Sequence, residues 1–490
     1  MSGPHIFVLV GDCLRAANAT PDTLPFLSDL STVDFTRCYA PSTWTRPSHA
    51  SLYSQVTPIE HGVTRRGDVL GASQAILPDR AREAGYRTAL FSENPTFSTA
   101  TGFHHGVDFV DDSIHRKPYP SPFSPDTYVD EIGVDAALTL LREVAGRPNK
   151  AANLANLVYG FATALSDLDP TAYPHHGERV FDHLRRFVAR NETEPLFCLA
   201  NLLDTHNPHH APPEIGAEAL GISVPTAERR ALAAANDDRL YMLDDADLPA
   251  ETRAWFDSWE AVFERREDVY DAQIRYFDHL LERWFEGVAD RILDESLIVV
   301  TGDHGQLFGE EGQLGHQVSL HPHGIHVPLS VSPPASWETD VVVTRPVSWL
   351  GLSHALGSVA EGVITDTEAF ADALAEGSRT DGRVVVAVDG PTWNVAELRE
   401  RYDDAVDSVC VRKAGFVESE TMTVYESAWG ESTVRERRYD LRGGSRTLRD
   451  ERGDVSLEGR CGEWAQAGEW AGRAAGGAAG GQARGRVRGA

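Results

Sequence analysis

Lysine is almost missing from this chain. Of 45 basic residues in 490, only Lys117, Lys150 and Lys413 are lysines, and arginine supplies the rest against 74 acidic residues. The formal charge of -29 argues against a nucleic-acid-binding surface, because phosphate contacts need clustered basic groups. The acids are dispersed rather than gathered, which reads as the solvated surface of a salt-adapted cytoplasmic protein more than as a store of cations. Cysteine is also scarce. Cys13, Cys38, Cys198, Cys410 and Cys461 are odd in number and lack paired spacing, which excludes a disulfide framework or a zinc finger. They are expected to be reduced, with Cys13 filling space beside a loop. No apolar run is long enough to span a bilayer, and no secretory signal precedes the first apolar segment. The expectation is a cytoplasmic protein with no membrane span, attached to a membrane only through a partner if at all.

What is present is an alternation of two periodicities. Residues 5–11, 87–92, 195–202, 296–301 and 326–332 read as buried strands, while Pro125–Glu143, Gly177–Arg190 and Arg253–Ala289 carry helical spacing. This pattern implies an α/β fold with a mainly parallel central sheet and helices on both faces. The acidic stretch 211–250, opened by Pro212 and Pro213, reads as a surface insertion on the substrate side. From about 381 the pattern changes to short alternating segments, Arg383–Val388, Ser408–Arg412 and Thr421–Tyr425. These suggest a small antiparallel sheet with a helix, a C-terminal α+β subdomain over 381–445 behind a catalytic domain over 1–380. Order is expected to fade beyond Gly443, and the Gly/Ala/Arg tract Ala471–Ala490 cannot bury enough surface to fold.

Three places carry candidate chemistry. Thr301-Gly-Asp-His-Gly305 follows the apolar run Leu297–Val300, which sets a carboxylate and an imidazole at the carboxyl end of a strand, where open α/β sheets place their chemistry. Asp303 and His304 can reach one divalent cation if the chain turns sharply, and Gly302 and Gly305 permit such a turn. The alternative is that Asp303 caps a helix and His304 is a polar loop residue. Asp12 follows the apolar run His5–Val10 and sits at a second strand end. Thr45-Arg-Pro-Ser-His places a hydroxyl just before a helix whose first turn holds Pro47, a position that favours an anion beside a nucleophile. Thr45 as a simple N-cap is the competing reading.

Taken in order, these motifs resemble the sulfatase family of the alkaline phosphatase superfamily. Thr45-Arg-Pro-Ser-His-Ala-Ser-Leu-Tyr-Ser-Gln followed by Pro58-Ile-Glu-His-Gly62 is similar to the family's signature, in which Cys or Ser opens a C-x-P-S-R motif. Asp12-Cys-Leu-Arg15 and Gly302-Asp-His-Gly305 resemble its metal-ligand motifs. The form with Asp-x-Leu-Arg and Thr-x-Pro-Ser-His is the one common in haloarchaea. The resemblance covers about residues 4 to 335, and Tyr439-Asp-Leu441 is similar to the closing motif of the C-terminal subdomain.

The resemblance implies a hydrolase of sulfate or phosphate esters using one divalent metal ion (calcium, magnesium, manganese or zinc). Asp12, Thr45, Asp303 and His304 would be its ligands. Thr45 would also be the nucleophile. It cannot be oxidised to formylglycine as the family's Cys or Ser is, so no formylglycine is expected and phosphoryl transfer gains weight. His206, in Asn201-Leu-Leu-Asp-Thr-His206, matches the family's leaving-group histidine and would act as general acid. His316 would bind the anion. His49 stands in place of the motif's Arg and would either orient Thr45 or merely pack. Asn94, in Glu93-Asn-Pro95, contacts substrate or makes a turn. His209 and His210 read as bystanders or substrate-rim residues, and His321, His323 and His326 are assigned no chemistry. The substrate would be a small-molecule ester, or one on a glycan or lipid headgroup. The alternatives are a phosphodiesterase or phosphoglycerol-type transferase, or an inactive, metal-stabilised binding protein.

Overall fold

The computed structural model describes residues 3–30, 33–112, 176–207, 209, 260–310, 314–316, 318–337, 341–378, 383–391, 410–429, 433–441 and 447–456, with isolated positions between them. The expected helix Pro125–Glu143, the insertion 211–250, the helix accompanying the C-terminal sheet and the tract Ala471–Ala490 lie outside the described residues.

Eight strands form the central sheet: β1 (His5–Gly11), β2 (Val33–Phe35), β3 (Arg87–Ser92), β4 (Phe109–Asp111), β5 (Leu196–Leu202), β6 (Ser296–Gly302), β7 (Leu329–Ser332) and β8 (Val341–Val343). Their order is β8-β2-β7-β6-β1-β5-β3-β4. β1 lies between β5 and β6, parallel to both, and only β7 runs against its neighbours. The near-continuous apolar sequence of β1 follows from this central place. Ile6, Val8 and Val10 enter one core while Phe7 and Leu9 enter the other, so neither face meets water.

Helices close both faces, as the alternating periodicities require. On one side pack α1 (Thr45–Ser54), α2 (Ile76–Glu83), α5 (Trp349–Ala360) and α6 (Thr367–Gly377), through side chains such as Leu52, Leu77, Leu356 and Leu374. On the other pack α3 (Gly177–Arg190) and α4 (Glu260–Gly287), through Phe181, Leu184, Ile274 and Leu281. At about 1.5–3 kcal/mol for each fully buried large apolar side chain, these two cores outweigh a few unfavourable polar contacts elsewhere. The molecule can therefore hold like charges together at one edge of the sheet.

Two expectations about strands are corrected. The stretch 326–332 is two strands rather than one, His326–Val327 in a small separate sheet and β7 in the main one. Pro328 divides them because it cannot donate to a ladder. The second correction concerns the carboxyl-terminal sheet, formed by Val384–Asp389, Val411–Glu418, Thr421–Ala428, Thr433–Asp440 and Thr447–Ser456. The last of these lies past Gly443, where order was expected to fade. It pairs with Thr433–Asp440 through two register irregularities and places Arg437 against Glu451, so opposite charges across the pair sustain a polar edge strand. This sheet packs on the catalytic layer through Leu320, Ile325 and Tyr39, and Ser42 Oγ donates to the Ala387 carbonyl at 2.7 Å. It thereby braces loops on either side of the candidate site.

Candidate active site

The register of three parallel strands assembles the site. Gly11 of β1 is level with Leu202 of β5 and with Gly302 of β6, so the chain leaves all three strands at one height. Asp12 and Asp303 emerge there side by side, both fully buried. The chain approaches itself closely at both glycines of the Gly302-Asp-His-Gly305 motif. A Cβ on Gly302 would lie 2.2 Å from the Leu14 carbonyl oxygen, and one on Gly305 would lie 1.9 Å from that of His323. Close approach, rather than a left-handed turn, is what these glycines supply. The left-handed residue is Cys13, at φ 66°.

Thr45 is the first residue of α1, and Trp44 takes the N-cap position. The N-cap reading of Thr45 is thus replaced, and its hydroxyl points across to the strand ends. Thr45 Oγ1 lies 3.2 Å from Asp12 Oδ2 and 3.4 Å from His304 Nε2, and it accepts from Asn94 Nδ2 at 3.2 Å. Asn94 Nδ2 also donates to Asp12 Oδ2 at 2.7 Å. The turn alternative for Asn94 holds as well, since its Oδ1 accepts from Thr96 N at 2.8 Å. One side chain does both jobs.

His304 Nδ1 lies 2.9 Å from the Gly305 carbonyl oxygen, which can only accept, so the proton is on Nδ1. Nε2 then faces Asp12 Oδ1 at 3.4 Å and Asp303 Oδ2 at 3.5 Å. Asp303 Oδ1 accepts from the backbone N–H groups of Cys13 and His304, at 3.1 and 3.0 Å. Its other oxygen, Oδ2, is buried without a hydrogen-bond partner. Burial, then the Asp12 charge, pushes the Asp303 carboxyl up to about 7. Burial works against a charge on His304, but the Asp303 and Asp12 carboxylates outweigh it and raise the imidazole to about 9. Asp12 is held below the usual carboxylate range. Burial opposes this, and His206, His304 and Asn94 overcome it.

This donor set fits a divalent cation. Two carboxylates, an imidazole nitrogen and a hydroxyl converge in a buried place, with one carboxylate oxygen left unsatisfied and an excess proton on His304 where positive charge is needed. The buried carboxylate pair is costly without such a charge.

The remaining predicted residues divide. His206 Nε2 lies 4.0 Å from Asp12 Oδ1, and the His316 ring lies tilted by 34° against that of His304 with centroids 4.4 Å apart, so both join the site. His49 stands behind it. Its Nδ1 is 3.0 Å from the carbonyl of Thr45 rather than its hydroxyl, and its ring packs against Phe97, Phe103 and Trp349. Burial lowers His49 to about 4, so it is neutral at pH 7.

Sequence reasoning missed several participants. Asn201, at the end of β5, sends Nδ2 toward Asp12 Oδ2 at 3.4 Å, and the strand-end rule that found Asp12 could have found it. Thr205 Oγ1 donates to the Asp12 carbonyl at 2.6 Å. Arg15, fully buried, bonds Glu267, Glu310 at 2.8 Å and the Gln306 carbonyl at 3.1 Å, tying the Asp12 loop to α4 and to the Asp303 loop. Tyr270 accepts from Arg15 N at 2.9 Å and donates to the Cys13 carbonyl at 2.6 Å. Nothing local in the sequence signals these ties.

A mixed, mostly parallel sheet with a hydroxyl, two carboxylates and an imidazole at its strand ends, plus an antiparallel C-terminal sheet, defines an α/β ester hydrolase. The model of the family described as Sulfatase matches residues 4–363, and the chain belongs to that family. It is a sulfatase-like hydrolase of sulfate or phosphate esters. Comparison of the sequence with curated proteins gives no match. Solved structures with the same fold include the phosphonate monoester hydrolase SpPMH from Silicibacter pomeroyi, at 17% identity and TM-score 0.57, over 90% of each chain. The phosphonate monoester hydrolase of Agrobacterium radiobacter aligns at 16% identity and TM-score 0.57, over 96% of this chain and 94% of that one. BT4656, solved with its substrate D-glucosamine-2-N,6-O-disulfate, aligns at 14% identity and TM-score 0.55 over 97% of each. Among the described residues no helix is long and apolar enough to cross a membrane.

Proposed function

We propose that this protein hydrolyses a sulfate or phosphate ester by attack of the Thr45 hydroxyl, beside one divalent cation held by Asp12, Asp303, His304 and Thr45 itself. The observation that carries this reading is the position of Thr45 Oγ1, within 3.5 Å of Asp12, Asn94 and His304 together, at the positive end of α1. The cation supplies Lewis-acid stabilisation of negative charge and lowers the pKa of the hydroxyl.

The residues do the rest. Asn94 Nδ2 holds both the Asp12 carboxylate and the hydroxyl, fixing the direction of attack. Asp12 Oδ2, 3.2 Å away, would orient the hydroxyl, whose proton would pass to solvent. The positive end of α1 would face the anion. His206, partly exposed, stands on the side from which an ester enters and is placed to protonate the leaving oxygen, while His316 flanks the remaining oxygens. His49 positions Thr45 through its backbone. A threonine cannot give formylglycine, so the attacking group is the side-chain hydroxyl, and this favours phosphorus over sulfur as the electrophile. Small-molecule substrates, with or without a sugar or lipid headgroup, suit a site of this kind, and the acidic, lysine-poor composition supports a salt-adapted cytoplasmic setting.

The test is turnover of matched aryl sulfate, phosphate monoester and phosphodiester in high salt with added divalent metal. Thr45→Ala should lower kcat by at least about 10^3-fold, the scale of removing a nucleophile, while Thr45→Ser retains measurable turnover. Equal turnover by wild type and Thr45→Ala would sink the assignment.

A further inference from the structure

The mechanism above leaves one buried acid beside the site without a role. Glu93 follows β3, precedes Asn94 and is 1% exposed. We propose that Glu93 is a positioning residue, which fixes the turn that carries His206 and so sets the leaving-group side of the site against the attacking side. The inference rests on the reading of His206 as general acid and adds the part that aims it.

Both oxygens of Glu93 are committed to backbone groups rather than to the site. Oε1 accepts from Leu203 N at 3.1 Å, and Oε2 accepts from His176 N at 2.8 Å. Leu203 follows β5 and opens a tight turn, closed by His206 N donating to the Leu203 carbonyl at 2.8 Å. The first residue of that turn is thus pinned by Glu93, and the last is His206. His176 immediately precedes α3, so one side chain ties together the exits of β3 and β5 and the start of α3.

The far half of the turn has its own anchors. Thr205 Oγ1 donates to the Asp12 carbonyl at 2.6 Å, and the fully buried Gln273 of α4 donates from Nε2 to the His206 carbonyl at 3.4 Å. Glu93 holds the near half. Asn94, the next residue in the chain, binds Asp12 Oδ2 and Thr45 Oγ1 through Nδ2. Adjacent residues therefore hold the clamp on the nucleophile and the turn behind the general acid. Attacking and leaving oxygens lie roughly in line across the reacting atom, and a misplacement of about 1 Å between the groups that serve them can cost about 100-fold in rate.

The chemistry of the position calls for a carboxyl. Two backbone N–H groups converge there, and a carboxyl offers an acceptor to each, whereas an amide would set its own NH2 against one of them. A Cβ on Gly177 would lie 1.9 Å from Asp204 Oδ2, so a second buried acid also packs against the start of α3. Burial, then the Asp204 charge, pushes the Glu93 carboxyl above the usual carboxylate range. A proton taken up there spares the fold another buried negative charge and leaves each oxygen able to accept.

The experiment compares the full chain with Glu93→Gln, His206→Ala and the double variant, with divalent metal added. Hydrogen–deuterium exchange followed by mass spectrometry reads the turn itself. In Glu93→Gln the amides of the Leu203–His206 turn should exchange at least about tenfold faster, with those of β5 unchanged. Turnover of phenyl and dinitrophenyl esters reads the consequence. Glu93→Gln should lower kcat about 10- to 100-fold on the phenyl ester, whose leaving group needs a proton, and less than about threefold on the dinitrophenyl ester, whose leaving group does not. In the His206→Ala background it should cause no further loss on the phenyl ester, because both changes remove one function. Unchanged exchange in the turn would overturn the proposal, and so would equal losses on both esters or a loss that adds to that of His206→Ala. A His206→Ala variant with undiminished turnover of both esters would sink the general-acid reading instead, and exchange would still decide whether Glu93 holds the turn. Circular dichroism checks folding, and Glu93→Asp, too short to span both N–H groups, takes the same tests if Glu93→Gln does not fold.

Discussion

Replacing Asp303 by Asn should stabilise the metal-free protein above neutral pH and remove its metal binding at the same time. Asp303 Oδ2 is buried without a partner beside Asp12, and its carboxyl is raised from 3.8 to about 7 by burial and by that neighbour. In the unfolded chain the group ionises near 3.8, so between that value and about 7 the folded state holds a proton that the unfolded state has released. Stability from this group is fully present below pH 3.8 and is lost as pH rises through about 7. At about 1.36 kcal/mol per pH unit, the loss is about 4 kcal/mol. His304 has the same sign, because its folded value of about 9 exceeds 6.5, and its contribution fades as pH rises through about 9. The metal-free wild type should therefore lose stability relative to a variant without the Asp303 charge as pH rises from about 4 to 7, and a divalent cation should narrow that difference. Asn keeps the oxygen that accepts from Cys13 and His304 and removes the charge, so the variant should lack this group's share of the slope below pH 7. Urea denaturation of chelator-treated protein at pH 5, 7 and 8.5 reads this directly. A difference between wild type and the Asn variant that stays constant from pH 5 to 8.5, or an Asn variant less stable than wild type at pH 8.5, would refute the reasoning.

Asn94→Ala strips the Asp12 carboxylate of its shortest hydrogen bond, at 2.7 Å, and should cost about 1.5–3 kcal/mol, seen as a fall in kcat of about 10- to 100-fold with KM less affected. Arg15→Leu leaves Glu310 and the Gln306 carbonyl without their buried partner, and a loss of about 3 kcal/mol in denaturation is expected, the lower end for a broken buried pair because Glu267 is half-exposed. Gly302→Ala forces a methyl to within 2.2 Å of the Leu14 carbonyl, so the Asp12 and Asp303 loops must separate. Metal affinity measured by calorimetry should drop at least about tenfold even where the variant folds.

Much of the frame was legible in the chain. The apolar runs of β1, β5 and β6 announce buried parallel strands because their periodicity shows no wet face, and the polar residues that follow them fall at strand ends by necessity. The helix starting at Thr45 was readable from Pro47 in its first turn, and the long α4 from its helical spacing. Other features were not. Pro328 splits one apolar run into strands of two sheets, and the charged strand Thr447–Ser456 looks like a tail until its partner is known. Its stability lies in cross-strand pairs, which no local pattern displays.

The sequence by itself determined which chemical groups are available: two strand-end carboxylates, a hydroxyl at a helix start that cannot become an aldehyde, and a surfeit of histidine. Only the tertiary structure decided how they meet. The register that sets Gly11 beside Leu202 and Gly302 joins segments nearly two hundred residues or more apart, and a one-residue slip would turn Asp12 away from Asp303. The same holds for the left-handed Cys13, whose direction is fixed by Tyr270 and Asp303 from distant parts of the chain, and for His49, which packing places behind Thr45. Local pattern records propensity, whereas the energy of a site lies in contacts between residues that the sequence keeps far apart.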